Sequence, residues 1–227
     1  MPMNINIFTR KGIYHKDIQK ENQDYVYAID EKDFLAIMLA DGATACEMGL
    51  EGAKLSCHAM MEIIKHERDV FFNYTKQKMA YLLSQHILYC IECNKSVEHN
   101  ISEYGSTFAM VFMEKRTGKA VSINLGDSAV IIVTEKSWFY LLEPKRYQGN
   151  PCLTTTEGAE KSMGITVFNL SLGDSIFIGS DGFLEQLRNE ETLSCLCLYD
   201  IAGLNKILSL AENEDDCSYI SFTRERK

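Results

Sequence analysis

The chain has 227 residues, 46% of them hydrophobic and 24% charged, a mix usual for a globular protein long enough to bury a sizeable core. Acidic residues outnumber basic ones by 32 to 23, and the net charge of -9 argues against a nucleic-acid or anionic-membrane partner, since both select basic surfaces. The longest apolar run, Phe34 to Ala40, is far short of the roughly 20 residues that span a bilayer. Met1 to Lys11 lacks the apolar core of a secretory signal, so a cytoplasmic chain without a membrane anchor is expected.

Taken in chain order, Asp24 to Ile29 and Phe34 to Ala40 read as two strands around the acidic turn Asp30-Glu31-Lys32-Asp33. From Leu50 the residues Ala53, Cys57, Met60, Met61 and Ile64 share one face of a helix. A second helix is expected over Lys76 to Ser96, where Met79, Leu82, Leu83, Ile87 and Cys90 recur at helical spacing. Phe108 to Met113, Ala120 to Leu125 and Ala129 to Val133 follow as strands, the first two joined by a turn at Thr117-Gly118. Trp138, Phe139 and Tyr140 read as a strand packed in the core. Ser175 to Gly179 and Tyr219 to Phe222 are short strands, and Ile201 to Leu210 is helical. Strands come in runs and helices in runs, so the fold class is α+β, with mainly antiparallel sheets covered by helices. No repeat, low-complexity stretch or linker composition divides the chain, and one domain over residues 1–227 is expected.

Glu143 to Gly164 stands apart as a long polar stretch without periodicity, holding Pro144, Gly149, Pro151 and Gly158. Structureless loops of that length inside a compact domain are often lids. The eight cysteines are expected as free thiols in a reducing compartment. Cys90 and Cys93 have CxxC spacing, but no clean second pair completes a zinc site, and Cys93 extends the apolar helical stripe.

The informative pattern is where the aspartates fall. Asp24 precedes a strand, Asp41-Gly42 and Asp181-Gly182 each follow one, and Asp215-Asp216 precedes another. Neighbouring strands can bring such acids together, and clustered carboxylates resist ionising side by side unless a cation relieves them. Oxygen donors favour magnesium or manganese over zinc. The competing reading of any one Asp-Gly is a simple turn.

The segments Asn22-Gln23-Asp24, Ala40-Asp41-Gly42-Ala43, Gly105-Ser106-Thr107, Asn124-Leu125-Gly126-Asp127-Ser128, Gly179-Ser180-Asp181-Gly182-Phe183 and Asp215-Asp216-Cys217-Ser218 stand in the order found in one family. Over nearly the whole chain the sequence resembles the metal-dependent (type-2C) protein serine/threonine phosphatases, especially their compact bacterial branch. The resemblance implies two packed, mainly antiparallel sheets flanked by helices, an α-β-β-α sandwich with a two-metal site in a cleft at one end. It implies hydrolysis of phosphoserine or phosphothreonine in proteins by a water activated between two manganese or magnesium ions. By motif position Asp41 would bridge both ions, Gly42 would offer its carbonyl, and Asp181 and Asp215 would complete the ligand set of the second ion. Asp24 would hold one ion or its water, and Asp127 with Asp181 would hold a third, weaker ion. The partners implied are a phosphoprotein and a cognate serine/threonine kinase.

Two positions depart from the family's pattern. Many members carry a histidine after the first Asp-Gly, where this chain has Ala43. Many also carry an arginine ahead of the first aspartate, where Gln19 and Lys20 stand; Lys20 could meet phosphate only as a point charge. The alternative function is therefore a weak or inactive relative that binds phosphopeptides or docks a partner. A phosphatase working through an aspartyl-phosphate is a third reading, but Asp41-Gly42-Ala43 lacks that chemistry's second acid. The histidines (His15, His58, His66, His86 and His99) are scattered and form no catalytic set.

Overall fold

Successive side chains of a strand point to opposite faces, and that rule sets the layers here. The strand β3 (Phe34–Asp41) sends Phe34, Ala36, Met38 and Ala40 into one apolar cluster and Leu35, Ile37 and Leu39 into another. Both faces are covered, so its sequence is a continuous apolar run rather than an alternation. In the computed structural model, which describes residues 3–225, its neighbours are β2 (Asp24–Asp30), β4 (Phe108–Glu114), β5 (Lys119–Leu125) and β10 (Gly164–Asn169). They form an antiparallel sheet in the order β10-β5-β4-β3-β2.

A second antiparallel sheet contains β1 (Ile5–Arg10), β6 (Ala129–Val133), β7 (Trp138–Leu142), β11 (Ser175–Gly179) and β12 (Cys217–Thr223), in the order β1-β12-β11-β6-β7. Val130, Ile132, Ile176, Ile178, Ile220 and Phe222 face Leu35, Ile37 and Leu39 across the gap between the sheets. The helices α2 (Gly49–His66) and α4 (Lys76–Asn94) cover the outer face of the first sheet through Ala53, Cys57, Met60, Leu83 and Ile87. On the outer face of the second sheet, α5 (Asp181–Gln186), α6 (Glu190–Cys197) and α7 (Ile201–Leu210) pack Phe183, Leu196, Leu204 and Leu208 onto Ile131, Phe177 and Tyr219. The result is the α-β-β-α sandwich expected from the motif order.

Several local expectations are corrected. The segment 143–164 is not structureless: β8 (Arg146–Tyr147) and β9 (Asn150–Pro151) form a hairpin, and Ala159–Lys161 a 3-10 turn. Gln148 and Gly149 both have positive φ, 50 and 86, as a two-residue hairpin turn requires. Trp138 to Tyr140 lie in an edge strand, with Phe139 exposed, because β7 has a neighbour on one side only. Cys93 is exposed instead of extending the buried stripe, which ends at Ile91. The short elements β1, α1 (Ile13–Asp17), α3 (Val70–Asn73), β10, α5 and α6 were not singled out in the sequence; β1 and β10 each pair along one edge of a sheet.

Candidate functional site

The register of β2 on β3 puts Asp24 directly opposite Asp41. Like charges opposite one another across a ladder are destabilising without compensation. On the other sheet β11 runs into Ser180, the residue just before α5, and Asp181 opens the helix. There the partial positive charge of the helix start favours an acidic side chain. Ser180 joins the two sheets. Its hydroxyl donates to Asp24 Oδ2 at 3.1 Å, and it accepts the Ser218 N–H at 3.0 Å. The 215–216 turn closes against α5 so tightly that a Cβ on Gly182 would stand 2.1 Å from the Asp216 carbonyl oxygen.

Asp41, Asp127 and Asp181 each bring a carboxylate oxygen within 4.8 Å of the others. Asp24 Oδ1 and Asp181 Oδ1 are buried and have no hydrogen-bond partner. Burial, then the charges of Asp24, Asp181, Asp215 and Asp127, hold the Asp41 carboxyl well above its ordinary range. Burial also raises Asp24, with Asp216 and Asp181 adding to it while the nearby hydroxyls of Ser218 and Ser180 oppose it. Asp181 is pushed up to about 7, by burial first and then by Asp215 and Asp127, against the pull of Arg146. Asp215 acts on the centre through its charge, and its Oδ1 accepts the Asp216 N–H at 2.9 Å. Gly42 follows Asp41 and donates its N–H to the Gln23 carbonyl at 3.0 Å. A set of crowded oxygen donors, two of them buried and unpartnered, fits hard dications such as magnesium or manganese.

The Lys20 ammonium donates to the carbonyls of Thr44 at 3.1 Å and Cys46 at 2.9 Å, bracing the segment after Ala43. Two groups to which the motif reading gave no role complete the region. Asp216 is buried and accepts from Gly12 N–H at 2.8 Å, Gln23 N–H at 2.6 Å and His15 Nδ1 at 2.8 Å. It fastens the 12–23 segment to the start of β12, so Asp215 and Asp216 do different work. Arg146, from the hairpin, donates Nε to Asp127 Oδ2 at 2.7 Å and Nη2 to Asp181 Oδ2 at 2.8 Å. The available signal for it was that the 143–164 stretch contains no other arginine. A second acidic group, Glu47, His99 and Glu103, has a local use: Glu103 accepts the Asn100 N–H at 2.9 Å in a capping box and pairs with His99 at 3.0 Å.

The acids thus gather at one end of a sandwich of two antiparallel sheets flanked by helices. The family described as Protein phosphatase 2C matches residues 11–202, and the chain belongs to that family. Asp24, Asp41, Asp127 and Asp181 fall inside the matched range and Asp215 beyond it. Among solved structures, RsbX in complex with magnesium is 14% identical, with a TM-score of 0.66 over 98% of this chain and 95% of its own. Stp1 from Staphylococcus aureus is 15% identical, with a TM-score of 0.72 over 97% and 94%. The catalytic domain of the serine threonine protein phosphatase PstP, in complex with 2 manganese ions, is 16% identical, with a TM-score of 0.73 over 98% of each chain. At these identities the likeness is one of fold. No curated protein matches the chain by sequence. Among the described residues no helix is long and apolar enough to cross a membrane.

Proposed function

We propose that this chain hydrolyses phosphoserine and phosphothreonine in proteins and depends on manganese or magnesium. The observation that carries the reading is the pair of buried, unpartnered oxygens on Asp24 and Asp181 beside Asp41, in a centre whose own charges repel. Asp24, Asp41, the Gly42 carbonyl, Asp181 and Asp215 would hold two dications, with Asp127 and Asp181 offering a third position. Bound there, the ions supply a water of lowered pKa and offset charge on the phosphoryl oxygens.

The chain's own residues set the geometry. Ser180 holds Asp24 through Oδ2 and leaves Oδ1 free to ligate. Thr107 donates its N–H to the Asp41 carbonyl at 2.8 Å, which fixes the end of β3. Lys20 is the group we assign to the substrate phosphate: two of its three donors are used on carbonyls and one remains. Ala43 offers no proton to the leaving oxygen, so aryl phosphates, whose leaving groups need none, should turn over faster than phosphoserine peptides. We read residues 1–227 as one domain and 143–164 as a flap beside the acids. Eight free cysteines support a reducing, cytoplasmic setting, with a serine/threonine kinase supplying the phosphoprotein.

The test is hydrolysis of an aryl phosphate with manganese. Turnover should stop on chelation and fall by at least about a hundredfold in Asp41→Asn and in Asp181→Asn. Unchanged turnover in both variants would overturn the mechanism. Manganese binding with no turnover on aryl phosphate or phosphopeptide would instead mark a docking module, the reading that Ala43 favours.

A further inference from the structure

We propose that the guanidinium of Arg146 is the resident cation of the subsite between Asp127 and Asp181, so that the centre takes two dications and a third must displace this side chain. The inference rests on the two-metal reading above. Arg146 Nη2 stands 2.7 Å from Asp127 Oδ2 and 2.8 Å from Asp181 Oδ2, and Nε donates to the same Asp127 oxygen at 2.7 Å. The carboxylates are sheltered, at 5% and 23% exposure, while Arg146 is 50% exposed and reaches in from outside. Asp181 divides its oxygens: Oδ2 holds Arg146, and Oδ1 is buried without a partner. One carboxylate therefore serves the guanidinium and still has an oxygen to give to an ion beside Asp41.

The backbone delivers Arg146 to this place. Gly126 adopts a φ of 90, and its carbonyl accepts the Lys145 N–H at 2.8 Å, so the residue before Arg146 is tied to the residue before Asp127. At the far end of the hairpin Thr154 N–H donates to the Ser106 carbonyl at 2.8 Å. Between these ties Tyr147 to Asn150 are exposed, and the Arg146 fork holds the projecting hairpin against the acids. A planar fork can span two carboxylates where an ammonium serves as a point charge, so Lys at this position should fill the role only in part. Filling the subsite with a dication would release the hairpin.

Two measurements test this. In equilibrium dialysis with manganese the wild-type chain should bind two ions in the range where Arg146→Ala binds three. The third ion should be at least about tenfold tighter in Arg146→Ala than in wild type, should disappear when Asp127→Ala is added, and should be intermediate in Arg146→Lys. In limited chymotrypsin digestion of the metal-free protein, cleavage after Tyr147 should be several-fold faster in Arg146→Ala than in wild type. Equal stoichiometry and affinity in wild type and Arg146→Ala, or equal cleavage rates, would overturn the proposal. A wild-type chain that binds no manganese at all would overturn the two-metal reading, and the metal-free digestion would still decide whether Arg146 holds the hairpin.

Discussion

Asp181 shows most directly how this centre works against the ordinary behaviour of carboxylates. Burial, then Asp215 and Asp127, push its carboxyl up to about 7, whereas an unfolded chain's aspartate ionises near about 4. Between those values the folded protein holds a proton that the unfolded chain has lost. The resulting stability is fully present below about pH 4 and is lost as the pH rises through about 7. Asp41 and Asp24, both raised chiefly by burial, act in the same direction. The melting temperature in chelator should therefore fall between pH 5 and pH 8, and excess manganese should abolish the fall, because the ion replaces the protons. A melting temperature in chelator that is higher at pH 8 would contradict this account. Asp216 belongs to another category: three donors converge on it, and it ties segments together where its neighbour Asp215 contributes charge.

At the scale of elements, the site depends on how closely α5 approaches the turn before β12. Ser180 exchanges hydrogen bonds with Ser218 on that strand, and Gly182 has no room for a side chain against the Asp216 carbonyl. Gly182→Ala should cost about 1–3 kcal/mol, the range for overpacking a close contact. It should also weaken manganese binding, because α5 carries Asp181. Urea unfolding of the metal-free variant measures the first effect and manganese titration the second; unchanged values in both would show that α5 can shift freely. The hairpin of β8 and β9 is the opposite kind of element. It buries little of its own, and backbone ties at Lys145 and Thr154 together with Arg146 hold it.

Across the whole molecule, folding forces the acids of two sheets together, and the apolar layers supply the stability that opposes their repulsion. A dication that binds only the folded state should raise the melting temperature by about 5–10 °C at a hundredfold excess over its dissociation constant. Asp215→Ala should remove most of that rise; a rise that persists in full would place Asp215 outside the metal shell. The sequence by itself determined the α+β class and the central strands, because the buried strands are written as apolar runs, while the sandwich and the candidate acids came from the resemblance that its motif order carries. Asp24, Asp41, Asp181 and Asp215 were picked out in this way as candidate ligands, and the structure brings Asp41 and Asp181 together with Asp127. Only the tertiary structure decided that Asp216 accepts from His15, that Ser180 links the sheets, and that Arg146 reaches Asp127 and Asp181. Each of these contacts joins residues far apart in the chain. A local pattern records which face of an element is buried, but not which distant polar atom will stand within hydrogen-bonding reach once the layers have closed.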